Sequence, residues 1–393
     1  MHIIYTIIIV MYPILSIYIS PIKGVDFGMF AILAIFPLIF AYAGKHGKIK
    51  TNYFILALIL YVFTDSILAY VLSSPVDIVT PVLRLGKFVI ILSIVFLLAN
   101  HCLFDYSLAK EYLKLMAVTT TAVIIIQNIV YYMSSKHVAF VVYDFIENKE
   151  YLASNVYTSM SLYRPSSLFL EPAHFSQYNV LPLCYSLFGD YQNRNSDLKL
   201  AIFITAGLFL STSGQGILLS VLLWFIWFLN TMFKFSRAVS RGSFLLIIVV
   251  LFALCVIPYL SNLSIIEKSV YRVWDFEKGE PGPALTGRLF TYSYFKELPL
   301  LHKFIGVGFG NVPSGVYLNG ISYILYTTGV IGLLIVVFVL LDAFIHTRNF
   351  QRYFSLIYFI LLIGSQTFTA ANIVYYLTFI YSGYQRHEKV KAI

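Results

Sequence analysis

"YFILALILYVFTDSILAYVL", Tyr53 to Leu72, is an apolar run interrupted by a single charged residue, Asp65. At about 1.5 Å per helical residue it is long enough to cross the ~30 Å hydrocarbon core of a bilayer. Runs of the same kind recur at Phe30 to Ala43, Ala117 to Tyr132, Gly216 to Phe233, Phe244 to Leu260 and Gly332 to Phe344, each bounded by a polar cluster. Of the 393 residues 59% are hydrophobic and only 11% charged, against roughly 25% charged in soluble domains. A water-soluble core-and-surface design is therefore excluded. The pattern predicts an all-α polytopic integral membrane protein, residues 1–393 forming a single membrane domain with about eleven or twelve transmembrane helices. The first run, Ile3 to Ile19, lacks a basic flank and a small-residue cleavage site and reads as a retained helix. Cys102, Cys184 and Cys255 are scattered, fitting neither a zinc spacing nor a disulfide framework.

Charge predicts orientation. With the amino terminus in the cytoplasm, the inner connections carry Lys45, Lys48, Lys50, Lys110, Lys114, Arg237, Arg241, Arg348, Arg352 and Arg386, and the formal net charge of +9 falls on the inner face. This follows the positive-inside rule. The basic balance is thus a topology signal and points to no nucleic-acid partner. Tyr353 to Tyr384 must then cross twice to return the tail, with a bend at Gly364-Ser365-Gln366-Thr367. Two long outer connections remain, 135–165 and 261–317, and chemistry concentrates in loops held by a rigid scaffold.

At the end of the first outer connection stands "RPSSLFLEPAHFSQY", Arg164 to Tyr178. Glu171-Pro172 is a good helix start, because proline fits the first turn and a carboxylate favours the positive end of the dipole. Capping and a catalytic role for Glu171 are competing readings. Helical spacing places Glu171, His174 and Tyr178 on one face, and a histidine there serves either packing or chemistry. Arg164, an always-charged fork near the membrane, suits phosphate. The second connection carries Arg272, Trp274, the breaker run "GEPGPALTGR" ending at Arg288, then His302 and "GVGFGN". These glycines follow no phosphate-loop pattern and read as a tight approach to the next helix. Deeper, Arg84 and Lys87 share a helix face, and Asp65 is expected to pair with one of them, since intramembrane charge is costly.

In order, "RPSSLFLEPAHFSQY", "FLSTSGQG", "TGRLFTYSYFKELPLLHKFIGVGFGN" and "NGISYILYTTGVIGLL" resemble the bacterial O-antigen polymerase and ligase superfamily over roughly Tyr163 to Leu334. The resemblance implies a GT-C-like membrane glycosyltransferase of the Wzy-type polymerase kind, inverting and without metal or other cofactor. Its substrates would be undecaprenyl-diphosphate-linked oligosaccharide repeat units. It would work at the outer, periplasmic face of the bacterial inner membrane among membrane lipids, with a chain-length regulator and a flippase of the same pathway as partners. Arg164, Glu171 and Arg288 match the family's arginine, glutamate and "GR" arginine. Ser213-Gly214-Gln215 stands where many relatives have an arginine after the serine, and Leu318-Asn319 stands where ligase-like members have a histidine. The general base therefore lies open between Glu171, His174 and His302. Arg164 and Arg288 are the expected diphosphate clamp, with Arg272, Arg84 and Lys87 as supporting cations. Alternatives are a ligase that transfers the glycan to a lipid A core, or a flippase or exporter. A transporter is expected to show repeated bundles, and the chain has no internal repeat.

Overall fold

A computed structural model describes residues 2–22, 25–46, 53–73, 78–100, 104–146, 163–189, 196–234, 274–275, 278, 280–313, 315–368 and 370–391. The architecture is helical. In chain order come α1 (His2–Leu15), α2 (Phe27–His46), α3 (Tyr53–Ser73), α4 (Val79–Asn100), α5 (Tyr106–Ser134), α6 (Pro172–Phe188), α7 (Leu198–Leu210) and α8 (Gly214–Lys234). Then follow the two-residue antiparallel strands β1 (Trp274–Asp275) and β2 (Glu280–Pro281), with Trp274 opposite Pro281. The chain closes with the short helices α9 (Pro283–Phe290), α10 (Tyr292–Lys296) and α11 (Leu300–Ile305), and the long ones α12 (Gly320–His346), α13 (Asn349–Gly364) and α14 (Ala370–Lys391).

Five of these helices are long and apolar enough to cross a membrane: Tyr53–Leu72, Val79–Leu97, Tyr106–Ser134, Gly214–Met232 and Gly320–His346. Shorter apolar helices cover Ile3–Leu15, Phe27–Leu38 and Leu198–Leu210. This is a membrane-embedded helical protein, yet among the described residues fewer helices meet the spanning criterion than the eleven or twelve read from hydropathy. The expected span Phe244 to Leu260 lies outside the described residues. The interior helices are the other reason. A helix walled by protein has its polar side chains satisfied by neighbours and need be neither fully apolar nor ~20 residues long.

α6 is such a helix. Every residue from Phe175 to Phe188 is buried, including Ser176, Gln177, Asn179 and Ser186. It packs against α5, α7, α8 and α13, while α14, buried from Ile373 to Tyr381, packs against α1, α4, α12 and α13. The two interior helices meet through Tyr178 and Tyr375, whose rings stack at 4.9 Å, and Tyr376 donates to the Gln177 carbonyl at 2.9 Å. The periphery has the opposite character: Leu60, Val71, Leu83, Leu115, Leu218 and Phe338 point outward from the five long helices.

Local chemistry sets the helix ends. Asp105 accepts from the Ser107 and Leu108 amides to start α5, Asp197 accepts from Leu200 to start α7, and Asn319 accepts from Ser322 to start α12. α12 is kinked at Gly329, where φ is 68° and ψ −171°. A kink inside a span frees carbonyl groups that lipid cannot satisfy. Here the glycine run supplies the donors: Val307 and Gly308 amides bond the Tyr326 and Thr327 carbonyls, each at 3.0 Å. A Cβ at Gly329 would stand 2.0 Å from the Phe304 carbonyl oxygen, so the contact requires glycine. The run Gly306 to Asn311 is a clasp between α3, α4 and α12. The Phe309 ring stacks on Phe88 at 4.1 Å, its amide takes Ser66 Oγ at 3.0 Å, and its carbonyl accepts from the Tyr70 hydroxyl.

That clasp corrects one expectation. Asp65 pairs with neither basic neighbour. Lys87 Nζ reaches Asp26 at 2.8 Å, because the start of α2 lies against α4, and Arg84 Nη1 donates to the Gly310 carbonyl at 3.0 Å. Asp65, 5% exposed, instead faces the Tyr61 hydroxyl one helical turn earlier. The expected bend after Gly364 is present as the break between α13 and α14. Cys184 is free and buried, while Cys102 and Cys255 lie outside the described residues.

Candidate functional site

A cavity of about 920 Å³ opens where the amino-terminal turn of α6 meets the break between α13 and α14. It is lined by Phe169, Leu170, Glu171, Ala173 and His174, with Gln177 one turn further. α1 contributes Pro13 and Ile17, α8 contributes Gln215, α9 contributes Arg288, and the α13–α14 break contributes Ser365 and Gln366, with Asn372 from α14 and Tyr317 from the approach to α12. Three residues singled out from the sequence, Glu171, His174 and Arg288, therefore share one cavity, although more than a hundred residues separate Glu171 from Arg288.

Glu171 occupies the N-cap position of α6 in extended conformation (φ −135°, ψ 152°), followed by Pro172. Its carbonyl accepts from the His174 and Phe175 amides, but its side chain makes no capping hydrogen bond. A cap residue ordinarily spends its side-chain oxygen on the N2 or N3 amide. Here the carboxylate faces the cavity, in the positive field of the helix end. His174 stands one turn on, half-buried. Desolvation draws its imidazole below the ordinary histidine pKa, and the Glu171 carboxylate pulls the other way. An imidazole so placed can accept a proton in its neutral form.

Arg288 sits in the last turn of α9, and three hydrogen bonds hold the turn. Asn319 Nδ2 donates to the Arg288 carbonyl at 3.2 Å and to Thr291 Oγ1 at 3.0 Å, and Thr291 Oγ1 donates to the same carbonyl at 2.6 Å. Since Asn319 Oδ1 also caps α12, one side chain ties the arginine's backbone to the start of that helix. The guanidinium reaches the α13–α14 break, where a Cβ at Gly364 would stand 3.8 Å from Nη1. Tyr317, whose hydroxyl accepts from the Gln366 amide at 3.2 Å, feels both charges: desolvation raises its phenol pKa, Arg288 lowers it and Glu171 raises it. Arginine and carboxylate thus act on one point in the cavity.

The remaining singled-out residues lie elsewhere. Arg164 is half-buried and outside the cavity lining; Tyr163 beside it is pinned by stacking on Tyr131 at 3.9 Å and by His137 Nδ1 at 2.9 Å from its hydroxyl. Arg84 and Lys87 are engaged with Gly310 and Asp26. His302 Nδ1 donates to the Gly306 carbonyl at 2.8 Å, ending α11. Arg272 lies outside the described residues. Tyr178 leaves the face expected of it, since its hydroxyl donates to Val10 in the core at 3.2 Å, and Gln177 takes its place at the cavity.

Sequence reasoning missed the carboxamides: Gln177, Gln215, Gln366 and Asn372 all line the cavity. Gln215 was visible in the "FLSTSGQG" hairpin, but only as a departure from an arginine. No cluster of three or more metal-ligating side chains occurs among the described residues. Compared with protein-family models and with curated proteins, the chain matches none.

Proposed function

We propose that the protein is a membrane glycosyltransferase that joins undecaprenyl-diphosphate-linked repeat units of an O-antigen or related surface polysaccharide at the outer face of the bacterial inner membrane. One observation carries the reading: the Glu171 carboxylate, not used by the helix it caps, shares a cavity with Arg288 and His174. A carboxylate and a fixed guanidinium are what displacement at an anomeric carbon bearing a diphosphate requires. The acceptor hydroxyl attacks the anomeric carbon from the face opposite the diphosphate. Its oxygen forms the new glycosidic bond as the bond to the phosphate oxygen breaks, and configuration inverts. Glu171 takes the acceptor proton. Arg288 stabilises the charge growing on the departing diphosphate, in a site where neighbouring chain reduces screening by water. Arg164 has no contact with the diphosphate in this scheme. His174 is the alternative base.

The test is elongation by the purified protein of purified lipid-linked repeat units, with no nucleotide or metal added. Formation of a glycan ladder with release of undecaprenyl diphosphate is the expected result. Movement of intact lipid-linked sugars across vesicles with no new glycosidic bond would favour the transport reading, and transfer only to a lipid A core would favour the ligase.

A further inference from the structure

Tyr317 stands two residues before Asn319, on the stretch that leads into α12, and is 56% exposed at the cavity. Its hydroxyl accepts from the Gln366 amide at 3.2 Å, an exposed bond at the α13–α14 break between two residues that both line the cavity. A phenol carries one proton to donate, and the hydroxyl rotates to suit its partners. Here the amide occupies the oxygen as an acceptor. Among the described residues the hydroxyl itself donates to none. The tip of the ring is held in place, and what it has left to offer is an O–H.

Two contacts bring that O–H to the Arg288 side of the cavity. The guanidinium reaches the same break, since a Cβ at Gly364, two residues before Gln366, would stand 3.8 Å from Arg288 Nη1. Asn319, two residues after Tyr317, holds the Arg288 carbonyl through Nδ2 at 3.2 Å. The electrostatics agree with the contacts. Desolvation raises the phenol pKa, and of the two ions that act on it the Arg288 cation has a larger effect than the Glu171 carboxylate. The hydroxyl therefore keeps its proton at neutral pH. A guanidinium and a phenol already accepting from an amide offer donors to a ligand. A diphosphate at neutral pH offers acceptors only, several on each phosphorus, so one ligand can take both. A sugar edge mixes donors with acceptors and suits the pair less well. Resting on the glycosyltransferase reading, we infer that Tyr317 is a further diphosphate-binding residue: its hydroxyl donates a hydrogen bond to a phosphate oxygen of the lipid-linked donor, beside Arg288. No proton is transferred. The hydrogen bond strengthens as the bond from the anomeric carbon breaks and negative charge gathers on the departing diphosphate, so Tyr317 serves the leaving group while Glu171 serves the acceptor.

The experiment measures binding of farnesyl diphosphate to the purified full chain in detergent, as a function of pH. It compares wild type, Tyr317→Phe and a protein with a ring-difluorinated tyrosine at the same position, whose phenol ionises at lower pH. Wild type is expected to bind the probe. Tyr317→Phe should bind it roughly tenfold or more weakly, the size of one hydrogen bond to a charged group. The fluorinated protein should bind it at least as tightly as wild type at acid pH and lose affinity as its phenol ionises, because a phenolate has no proton to donate and repels the anion. Wild type should show that loss only at higher pH. A hydroxyl that merely holds the Gln366 amide would behave differently, since a phenolate accepts from an amide better than a phenol does. Tyr317→Phe that binds the probe as wild type does overturns the inference, as does a fluorinated protein whose affinity follows the wild-type pH profile; either result leaves the glycosyltransferase reading standing. If Tyr317→Phe fails to fold, the fluorinated protein decides alone. Wild type that binds the probe but elongates no lipid-linked repeat unit overturns the glycosyltransferase reading alone, and wild type that binds no probe overturns both.

Discussion

Changing Glu171 to glutamine separates chemistry from helix capping. The substitution keeps size and removes one negative charge. Because the carboxylate makes no capping hydrogen bond, the only helical contribution lost is its attraction to the helix dipole, about 0.3–1 kcal/mol. Loss of a general base is far larger, about 10²- to 10⁴-fold in rate, or roughly 3–5 kcal/mol of activation free energy. The two effects differ severalfold and can be measured together, as initial elongation rate on lipid-linked repeat units and as thermal unfolding of the same preparation. A folded, nearly wild-type-stable protein with at least a hundredfold slower elongation is expected. If His174 is the base instead, the outcome differs in kind. Removing the Glu171 charge takes away the influence that raises the His174 pKa, so activity persists and the acidic limb of the pH–rate profile moves to lower pH. Elongation at the wild-type rate with an unmoved profile would refute a base role for both residues.

Asn319→Asp should retain the cap of α12, since an oxygen still faces the Ser322 amide, but lose both Nδ2 bonds to the Arg288 carbonyl and Thr291; elongation is expected to fall about tenfold or more with a stability change of about 1 kcal/mol, and an Asn319→Asp protein that elongates as wild type does, while Asn319→Ala is slow, would argue against a separate positioning role. A Cβ at Gly216 would meet Ser176 Oγ at 2.3 Å and its Cβ at 2.8 Å where α8 crosses α6. Gly216→Ala should therefore cost about 1–3 kcal/mol, and Ser176→Gly in the same chain should restore most of the melting temperature; no recovery would mean the helices part in some other way. Asp26 splits its carboxylate between the Met29 amide at 2.8 Å and Lys87 at 2.8 Å. With both side chains less than a third exposed, a double-mutant cycle of Asp26→Asn and Lys87→Met should give a coupling of roughly 1 kcal/mol, whereas the same cycle with Asp65 in place of Asp26 should give none.

Much of this was legible along the chain. The apolar runs announced membrane-embedded helices because lipid demands continuous apolar length, a one-dimensional property. Glu171-Pro172 marked the start of α6 because capping is local, and Gly364 to Thr367 marked a break for the same reason. Tertiary structure alone decided which polar residues became a site. Asp65, Arg84 and Lys87 stood at matching depth in sequence, yet Lys87 turned to Asp26 and Arg84 to a glycine carbonyl. Partner choice depends on which helices touch, and hydropathy carries no record of that. Gln215, Ser365 and Arg288 lie in separate segments, and only the packing of α8 and α9 against the α13–α14 break puts them around one cavity. The sequence could show that Glu171 begins a helix. That its carboxylate is left over from that task, and faces an arginine's cavity, is a fact of three-dimensional packing, because a side chain is spared for chemistry only when every neighbour has found another partner.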